Sequence, residues 1–272
     1  YLIKSLLAIN EVYNLNTKII CLTRDKSSIN NRLSQCQSNK NLDFIVHDLS
    51  SSLKIDIPNV NYIIHAASQA SPKFYGTDPV GTLASNTIGT FNLIQSSLSS
   101  NIDKFLFFSS AEIYGKPFEK NIAINEKALG YLDPLHIRSC YAESKRMGET
   151  ICMAFSRQFD MNFSIVRPFH TYGPGIDLKD GRVFADFVAD VIYKRDILIK
   201  SNGKAKRSFC YISEATAAFL LILLNGSNQQ SYNVANPNAE ISIAALAKLL
   251  QEMYPKRLKN IKFEQDIQAK NY

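Results

Sequence analysis

No glycine occurs before Gly76 in this chain of 272 residues. That absence excludes from the stretch any loop of the G-x-x-G-x-x-G kind, whose glycines let backbone N–H groups approach a pyrophosphate at a helix N-terminus. Cysteine is sparse: Cys21, Cys36, Cys140, Cys152 and Cys210 are odd in number and include no C-x-x-C pair. That pattern argues against a disulfide framework and against a zinc site, and no metal is expected. Nor does any apolar run reach the ~18 residues that a membrane span needs; the nearest candidate, Ala215 to Leu224, reads as a buried helix. Tyr1 to Asn10 has a helical period and no cleavage-site pattern, so the expectation is a cytoplasmic protein with no membrane segment. Internal repeats and low-complexity linkers are absent as well.

Lysine and arginine exceed aspartate and glutamate by 31 to 24, a net charge of +7. The basic residues are dispersed, with one dense cluster at Lys204, Lys206 and Arg207 and a looser one at Lys256, Arg257 and Lys259. A nucleic-acid stripe is therefore not expected, and a general attraction for a phosphorylated metabolite fits the excess.

A hydrophobic content of 46% in a chain of this length supports a large α/β core. Short apolar runs alternate with helical patterns. Strands are predicted at Lys18–Leu22, Asp43–Val46, Tyr62–Ala67, Lys104–Phe108 and Asn162–Arg167, with helices over Thr82–Ser97 and Tyr141–Phe159. Such alternation indicates a parallel sheet with right-handed crossovers, whose ligands bind at the carboxyl ends of the strands. From Phe169 onward the texture changes: Gly173-Pro174-Gly175 and Asp180-Gly181 are turn signals, and Phe184 to Tyr193 is amphipathic. A smaller lobe is expected to begin near residue 168, with the chain returning to the main sheet around Ala215 to Val234.

The chemistry centres on Tyr141 and Lys145, which share a helix face at i, i+4. A free phenol titrates near pH ~10, and a fixed positive charge beside it favours the phenolate, so the pair forms an acid/base. Ser109-Ser110 closes the strand upstream, and the Ser110 hydroxyl can bond both phenol and substrate. Spacing alone is weak evidence, since Tyr/Lys pairs are common on solvated helices. The chain begins inside what reads as the helix that would follow a glycine loop, which suggests a fragment of a nucleotide binder.

Taken in order, Asp48-Leu49, His65-Ala66-Ala67, Asn86, Ser109-Ser110, Tyr141-x-x-x-Lys145, Arg167-Pro168, Gly173-Pro174 and Arg207 resemble the extended short-chain dehydrogenase/reductase superfamily. Within it, Ala70 to Pro79, Arg138-Ser139-Cys140-Tyr141 and Asp180-Gly181-Arg182-Val183 look most like the UDP-glucuronate decarboxylase family. The resemblance implies a Rossmann-like doubly wound parallel sheet with a smaller C-terminal substrate-binding lobe. Residues 1–167 would form the dinucleotide-binding domain, lacking its first strand and glycine loop. Residues 168–272 would form the lobe, with part of 208–235 returning to the main domain. NAD would be held by Arg24, Asp48, Leu49, Ala66, Ala67, Asn86, Ser109, Tyr141, Lys145 and Pro168. Ser110, Glu112, Tyr141 and Lys145 would be catalytic, and Tyr75, His170, Arg182 and Arg207 would face a nucleotide-sugar substrate. The helix pair forms a four-helix dimer interface in this family, which implies a homodimer.

Three positions depart from the family pattern. Ala111 stands where the dehydratases carry an aspartic acid and many decarboxylases a serine. His170 replaces the usual asparagine. Arg24 follows the second strand where an acidic residue commonly binds the NAD ribose, and an arginine there can accept the 2′-phosphate of NADP instead. The leading expectation is oxidation of the sugar C4 hydroxyl to a ketone followed by decarboxylation of UDP-glucuronate. The alternatives are a 4-epimerase, a 4,6-dehydratase and a non-catalytic nucleotide-binding module. The bland alternatives place His65 as a satisfied strand-end histidine, Glu112 as a solvated turn carboxylate and Asn86 as a surface residue, while His47 and His136 are expected on the surface or in loops.

Overall fold

A computed structural model describes residues 1–51, 55–117 and 123–264. Helix α1 (Leu2–Val12) leads into β1 (Ile19–Thr23), α2 (Lys26–Leu33) and β2 (Leu42–Val46). Then come β3 (Tyr62–His65), three helices, α3 (Lys73–Thr77), α4 (Pro79–Asn86) and α5 (Ile88–Ser97), and β4 (Lys104–Phe108). A small antiparallel pair, β5 (Lys116–Pro117) and β6 (Gly130–Tyr131), precedes the long helix α6 (Ser139–Phe159) and β7 (Phe163–Pro168).

The sequence predicts one helix from Thr82 to Ser97; the structure has two, with Thr87 at the joint (φ −108°, ψ −70°). The Thr87 hydroxyl donates to the Leu83 carbonyl at 2.8 Å, a back-bond that bends helices at this position. The strands lie where the apolar runs place them, each within two residues at either end. They form two sheets: β1 pairs with β2, and β3, β4 and β7 pair side by side, all parallel. Among the described residues no strand joins β1 to β3, and β1 is half-buried along its whole length.

Strand β4 explains why the larger sheet holds. Its run Phe105-Leu106-Phe107 is fully buried on both faces, as expected for a strand covered by helices on either side. Phe105 and Phe107 point with Phe163 and Cys152 into the core beneath α5 and α6, while Leu106 points with Val166 to the opposite face. The register aligns His65 with Phe107 and Phe108 with Val166, so Ala66 and Ser109 leave the sheet at the edge where Pro168 ends β7. Helix α6 reaches this strand because position 148 is glycine: a Cβ there would stand 2.3 Å from the Phe107 ring.

Beyond β7 the chain builds a second unit from β8 (His170–Tyr172), α7 (Val183–Ile192), β9 (Ile197–Ile199) and β10 (Lys206–Tyr211). Helix α8 (Ile212–Asn225) and β11 (Gln230–Val234) return to the first: β11 lies parallel to β7, and Phe219 and Leu223 cover Leu106 and Val166. Last come β12 (Glu240–Ser242), α9 (Ile243–Met253) and β13 (Ile261–Phe263). Phe187, Ile197, Ile199, Phe209, Leu246 and Leu250 form the second unit's own apolar cluster. Buried Lys104 donates to the Gly226 carbonyl at the C-terminal end of α8, where a cation also complements the helix dipole.

Gly148→Ala is expected to force a methyl against Phe107 and lower stability by ~1–3 kcal/mol, the usual range for overpacking. Urea midpoints measure it. Adding Phe107→Leu should restore part of the loss, because the two sites touch and their effects do not add.

Candidate active site

Tyr141 lies in the first turn of α6, buried, with its phenol hydrogen-bonded to the Ser110 side chain. Ser110 stands just past the end of β4, and its Oγ caps the following 3-10 turn by accepting from the Glu112 amide at 3.2 Å. Burial raises the Tyr141 pKa; the Ser110 bond and the Arg182 charge pull it back, and the Glu112 carboxylate adds to the rise. Glu112 is itself exposed. Ser110, Glu112, Arg182 and Tyr141 therefore converge on one place.

Lys145 is on the same helix and almost wholly buried, but its Nζ donates to the Phe108 carbonyl at 2.7 Å. It stands 5.9 Å from the centre of the Tyr141 ring rather than on the phenol oxygen. Burial pulls its pKa from 10.5 down to about 7, against the Glu149 and Cys152 charges. The sequence predicts a phenol pushed toward ionisation by a neighbouring ammonium. In the structure the phenol is held protonated instead, because desolvation acts on it first and the lysine's proton is spent on backbone.

The remaining substrate-side candidates surround this centre unequally. Tyr75 stacks on Tyr141, ring centres 5.0 Å apart and planes 17° from parallel, while its hydroxyl donates to the Ala70 carbonyl at 3.1 Å. Arg182 pairs with Asp180 at 2.9 Å and donates to the same Ala70 carbonyl at 3.4 Å. His170 in β8 is kept neutral, its pKa lowered to about 4 by burial and by the Arg207 and Arg182 charges. Arg207 is exposed and donates to the carbonyl of Lys206, its own neighbour. One residue without a role in the sequence reading joins the group: the Arg138 guanidinium lies 5.5 Å from the Tyr75 ring centre. Its signal was its place one helical turn before Tyr141.

The cofactor-side candidates divide into open and buried. Ala66 and Ala67 are exposed past β3, and Pro168 is half-buried at the end of β7. Exposed Arg24 acts electrostatically on Asp48, whose carboxylate accepts from the Ser50 amide and hydroxyl at 2.9 and 2.6 Å. The Ser109 hydroxyl is buried with no partner among the described residues. Leu49 and Asn86, by contrast, turn inward. Leu49 packs in the main core, and the Asn86 amide donates to Ser144 Oγ at 2.9 Å, which donates to the Tyr141 carbonyl at 2.8 Å. The surface alternative for Asn86 is excluded, since its side chain is fully buried.

His65 also belongs to the scaffold. The Thr90 hydroxyl donates to the Asn86 carbonyl at 2.6 Å, so it accepts from His65 Nε2 at 2.9 Å, which assigns the Nε2–H tautomer. Burial lowers this imidazole's pKa to about 3, with the Lys145 charge acting the same way. A second buried group, unforeseen as a network, ties α6 to the sheet. Arg167 forks onto Glu149 at 2.9 and 2.6 Å and donates to the Tyr114 hydroxyl at 2.9 Å, which in turn donates to Asn233 Oδ1 at 2.6 Å. Desolvation opposes the charge on Arg167, but the carboxylate beside it holds the pKa above its usual value.

Parallel strands, crossover helices and a Ser-Tyr-Lys centre at the carboxyl edge define a dinucleotide-type α/β protein. The chain matches the NAD dependent epimerase/dehydratase family over residues 4–235 and belongs to that family. UDP-glucuronic acid decarboxylase 2 of Arabidopsis thaliana is 35% identical over 216 residues, 79% of this chain and 46% of that protein. UDP-glucuronic acid decarboxylase 1 of Xenopus tropicalis is 33% identical over 215 residues, 79% of this chain and 49% of its own length. The chain thus spans about half the length of these curated relatives. The UDP-glucuronic acid 4-epimerase of Bacillus cereus, solved with UDP-glucuronic acid and NAD, superposes with a TM-score of 0.80 at 20% identity, covering 96% of this chain and 81% of that one. The dTDP-glucose 4,6-dehydratase of Streptomyces venezuelae, solved with NAD, gives 0.79 at 17% identity, with 97% and 80% covered. These likenesses establish the Rossmann-like fold. No helix among the described residues is long and apolar enough to cross a membrane.

The Lys145 pKa has a stability consequence. Between pH about 7 and 10.5 the unfolded chain holds this proton and the folded one does not, so folding strengthens as pH rises through that window. Below about 7 both states hold it and the burial cost is fully present. Lys145→Met is therefore expected to gain stability relative to wild type at pH 6, with the gain shrinking by up to ~1.4 kcal/mol per pH unit toward pH 10. Chemical denaturation of both proteins across that range measures the difference, and a flat difference would refute the assignment.

Proposed function

We propose that the protein decarboxylates UDP-glucuronate through a 4-keto intermediate. The observation that carries this reading is the charge placement at Tyr141. The Arg182 cation and the Glu112 carboxylate both act on the phenol, and position 111 carries only a methyl group. A uronate brings a carboxylate that needs a counter-charge, which Arg182 offers in forked form. Dehydration needs an acid for the leaving hydroxyl, and Ala111 cannot donate a proton.

NAD fits one end of the site. Tyr141, Lys145 and the Ser109 hydroxyl, which has no partner among the described residues, suit the nicotinamide ribose, and exposed Ala66 and Ala67 leave room along the strand edge. The pyrophosphate end calls for close backbone approach of the glycine kind, and no glycine precedes Gly76. Arg24 leaves NADP open as an alternative. When bound, the cofactor supplies the hydride acceptor for the sugar carbon and returns the hydride at the end.

The chain's own residues do the proton work. Tyr141, as phenolate, takes the proton of the C4 hydroxyl while Ser110 bonds the same oxygen. The resulting C4 ketone is β to the carboxylate, so carbon dioxide leaves with the C5–C6 electron pair delocalised into the carbonyl. Ser110 and the now neutral Tyr141 donate to that oxygen as charge develops. Arg182 orients the carboxylate before it departs, and exposed Glu112 is assigned the delivery of the proton to C5. His170, kept neutral, can donate to the substrate from β8 without adding charge.

Incubation of the full protein with UDP-glucuronate and NAD tests the reading. The expected products are UDP-xylose and carbon dioxide, with Tyr141→Phe lowering kcat by ~10²- to 10⁴-fold. A 4-epimer with no carbon dioxide would make it an epimerase. No consumption of UDP-glucuronate would favour a binding module.

We further propose a homodimer built on α5 and α6. Ile88 and Phe91 on α5 form an exposed stripe with Leu98 just past its end, and Met147 and Phe159 are exposed on α6. An apolar stripe of this kind gains by covering itself. Phe91→Asp should convert the dimer to a monomer by light scattering. A monomeric wild type would overturn the proposal.

A further inference from the structure

The ring of Tyr75 makes the closest aromatic approach to the Tyr141 phenol, yet its hydroxyl is directed away from it, onto Ala70 in its own loop. What Tyr75 offers the site is therefore a flat surface. Three contacts from the 177–182 loop, which leads into α7 of the second unit, hold the segment that carries this surface. Ser71 Oγ donates to the Asp180 carbonyl at 2.5 Å, Arg182 donates to the Ala70 carbonyl at 3.4 Å, and Lys73 pairs with Asp177 at 3.5 Å. Ser71 and Tyr75 are both buried, whereas the Lys73–Asp177 pair is exposed and contributes little. From the other side Arg138, one turn before Tyr141, holds the Tyr75 ring by a cation–π contact.

We propose that Tyr75 is a positioning residue through which the 177–182 loop sets the catalytic phenol. With that loop seated on Ala70 and Ser71, the Tyr75 ring lies on Tyr141, fixes its orientation and keeps water from its face. With the loop displaced, the stack loosens and the phenol is solvated. The inference rests on the reading of Tyr141 as the acid/base and adds to it a coupling between the two units of the fold.

The electrostatics agree with the geometry. Burial is the largest influence holding the Tyr141 proton on, and the Tyr75 ring supplies part of that burial. Facing the phenol are Ser110 and Glu112 from the 3-10 turn and Arg182 from the loop, with Lys145 on its own helix. Burial likewise raises the pKa of Tyr75, which stays neutral. Loss of its ring therefore removes shielding without removing a charge.

The test uses the full protein labelled with ¹³C at tyrosine Cζ, the Tyr141 resonance being identified by its disappearance in Tyr141→Phe. In Tyr75→Leu the Tyr141 midpoint is expected to fall by about one unit, a tenfold rise in phenolate at a given pH, as water reaches the ring. Tyr75→Phe keeps the ring and should titrate as wild type. Ser71→Ala, which alters neither tyrosine, should shift the midpoint in the same direction by a smaller amount. An unmoved Tyr141 midpoint in folded Tyr75→Leu would overturn the positioning role, and an unmoved midpoint in Ser71→Ala would overturn the coupling to the loop. The readout needs no turnover, so failure to decarboxylate UDP-glucuronate would count against the proposed reaction alone.

Discussion

The laying of α6 along β4 is the constraint on which the rest of the structure depends. A single missing methyl, at Gly148, lets the helix close on the Phe107 ring. At that depth Lys145 reaches the Phe108 carbonyl and Tyr141 reaches the side chain of Ser110, so helix and strand end are joined at both centres of chemistry. The Arg167–Glu149 fork fixes the same helix to β7, and Asn86 fixes its first turn from α4 through Ser144. Three neighbours thus hold one helix at the depth that the site requires.

That depth has an electrostatic cost. Burying Lys145 and Tyr141 together favours the neutral form of each, so the ion pair that would make the phenol a ready base is disfavoured at rest. Glu149 counters the cost on the lysine, and Ser110 and Arg182 counter it on the tyrosine. Under the proposed reaction, a substrate hydroxyl would meet Ser110 and Tyr141, and its carboxylate would meet Arg182 beside Asp180. Preorganised dipoles and charges of this kind act most strongly where water is excluded.

Much of this was legible in the sequence, for a physical reason. Runs such as Lys104–Phe108 read as strands because burial on both faces demands continuous apolar residues, and the residue after each run falls at the ligand edge of a parallel sheet. Ser110 and Glu112 follow such a run, while Tyr141 and Arg182 are singled out by spacing and resemblance; the structure brings the four side chains together. The break at Thr87 was not legible, because the apolar faces of α4 and α5 continue across it and only a side-chain hydrogen bond marks the bend. The partner of Lys145 was missed for a similar reason: spacing shows which face a side chain shares, while helix depth decides whether its nitrogen meets a phenol or a carbonyl.

Leu49, Asn86 and His65 sharpen the distinction. Each sits in a motif shared with a nucleotide-binding family, and each turns its side chain into the interior. A strand end that must present backbone to a ligand must also be anchored from behind, and the residues doing so lie beside the functional ones in sequence. His65 shows the logic most clearly. Its neutral ring packs against Phe105 and Phe107 and donates to Thr90, holding the end of β3 against α5 while Ala66 and Ala67, next in the chain, stay open. A motif at such an edge therefore mixes residues that anchor it from behind with residues left open to the edge.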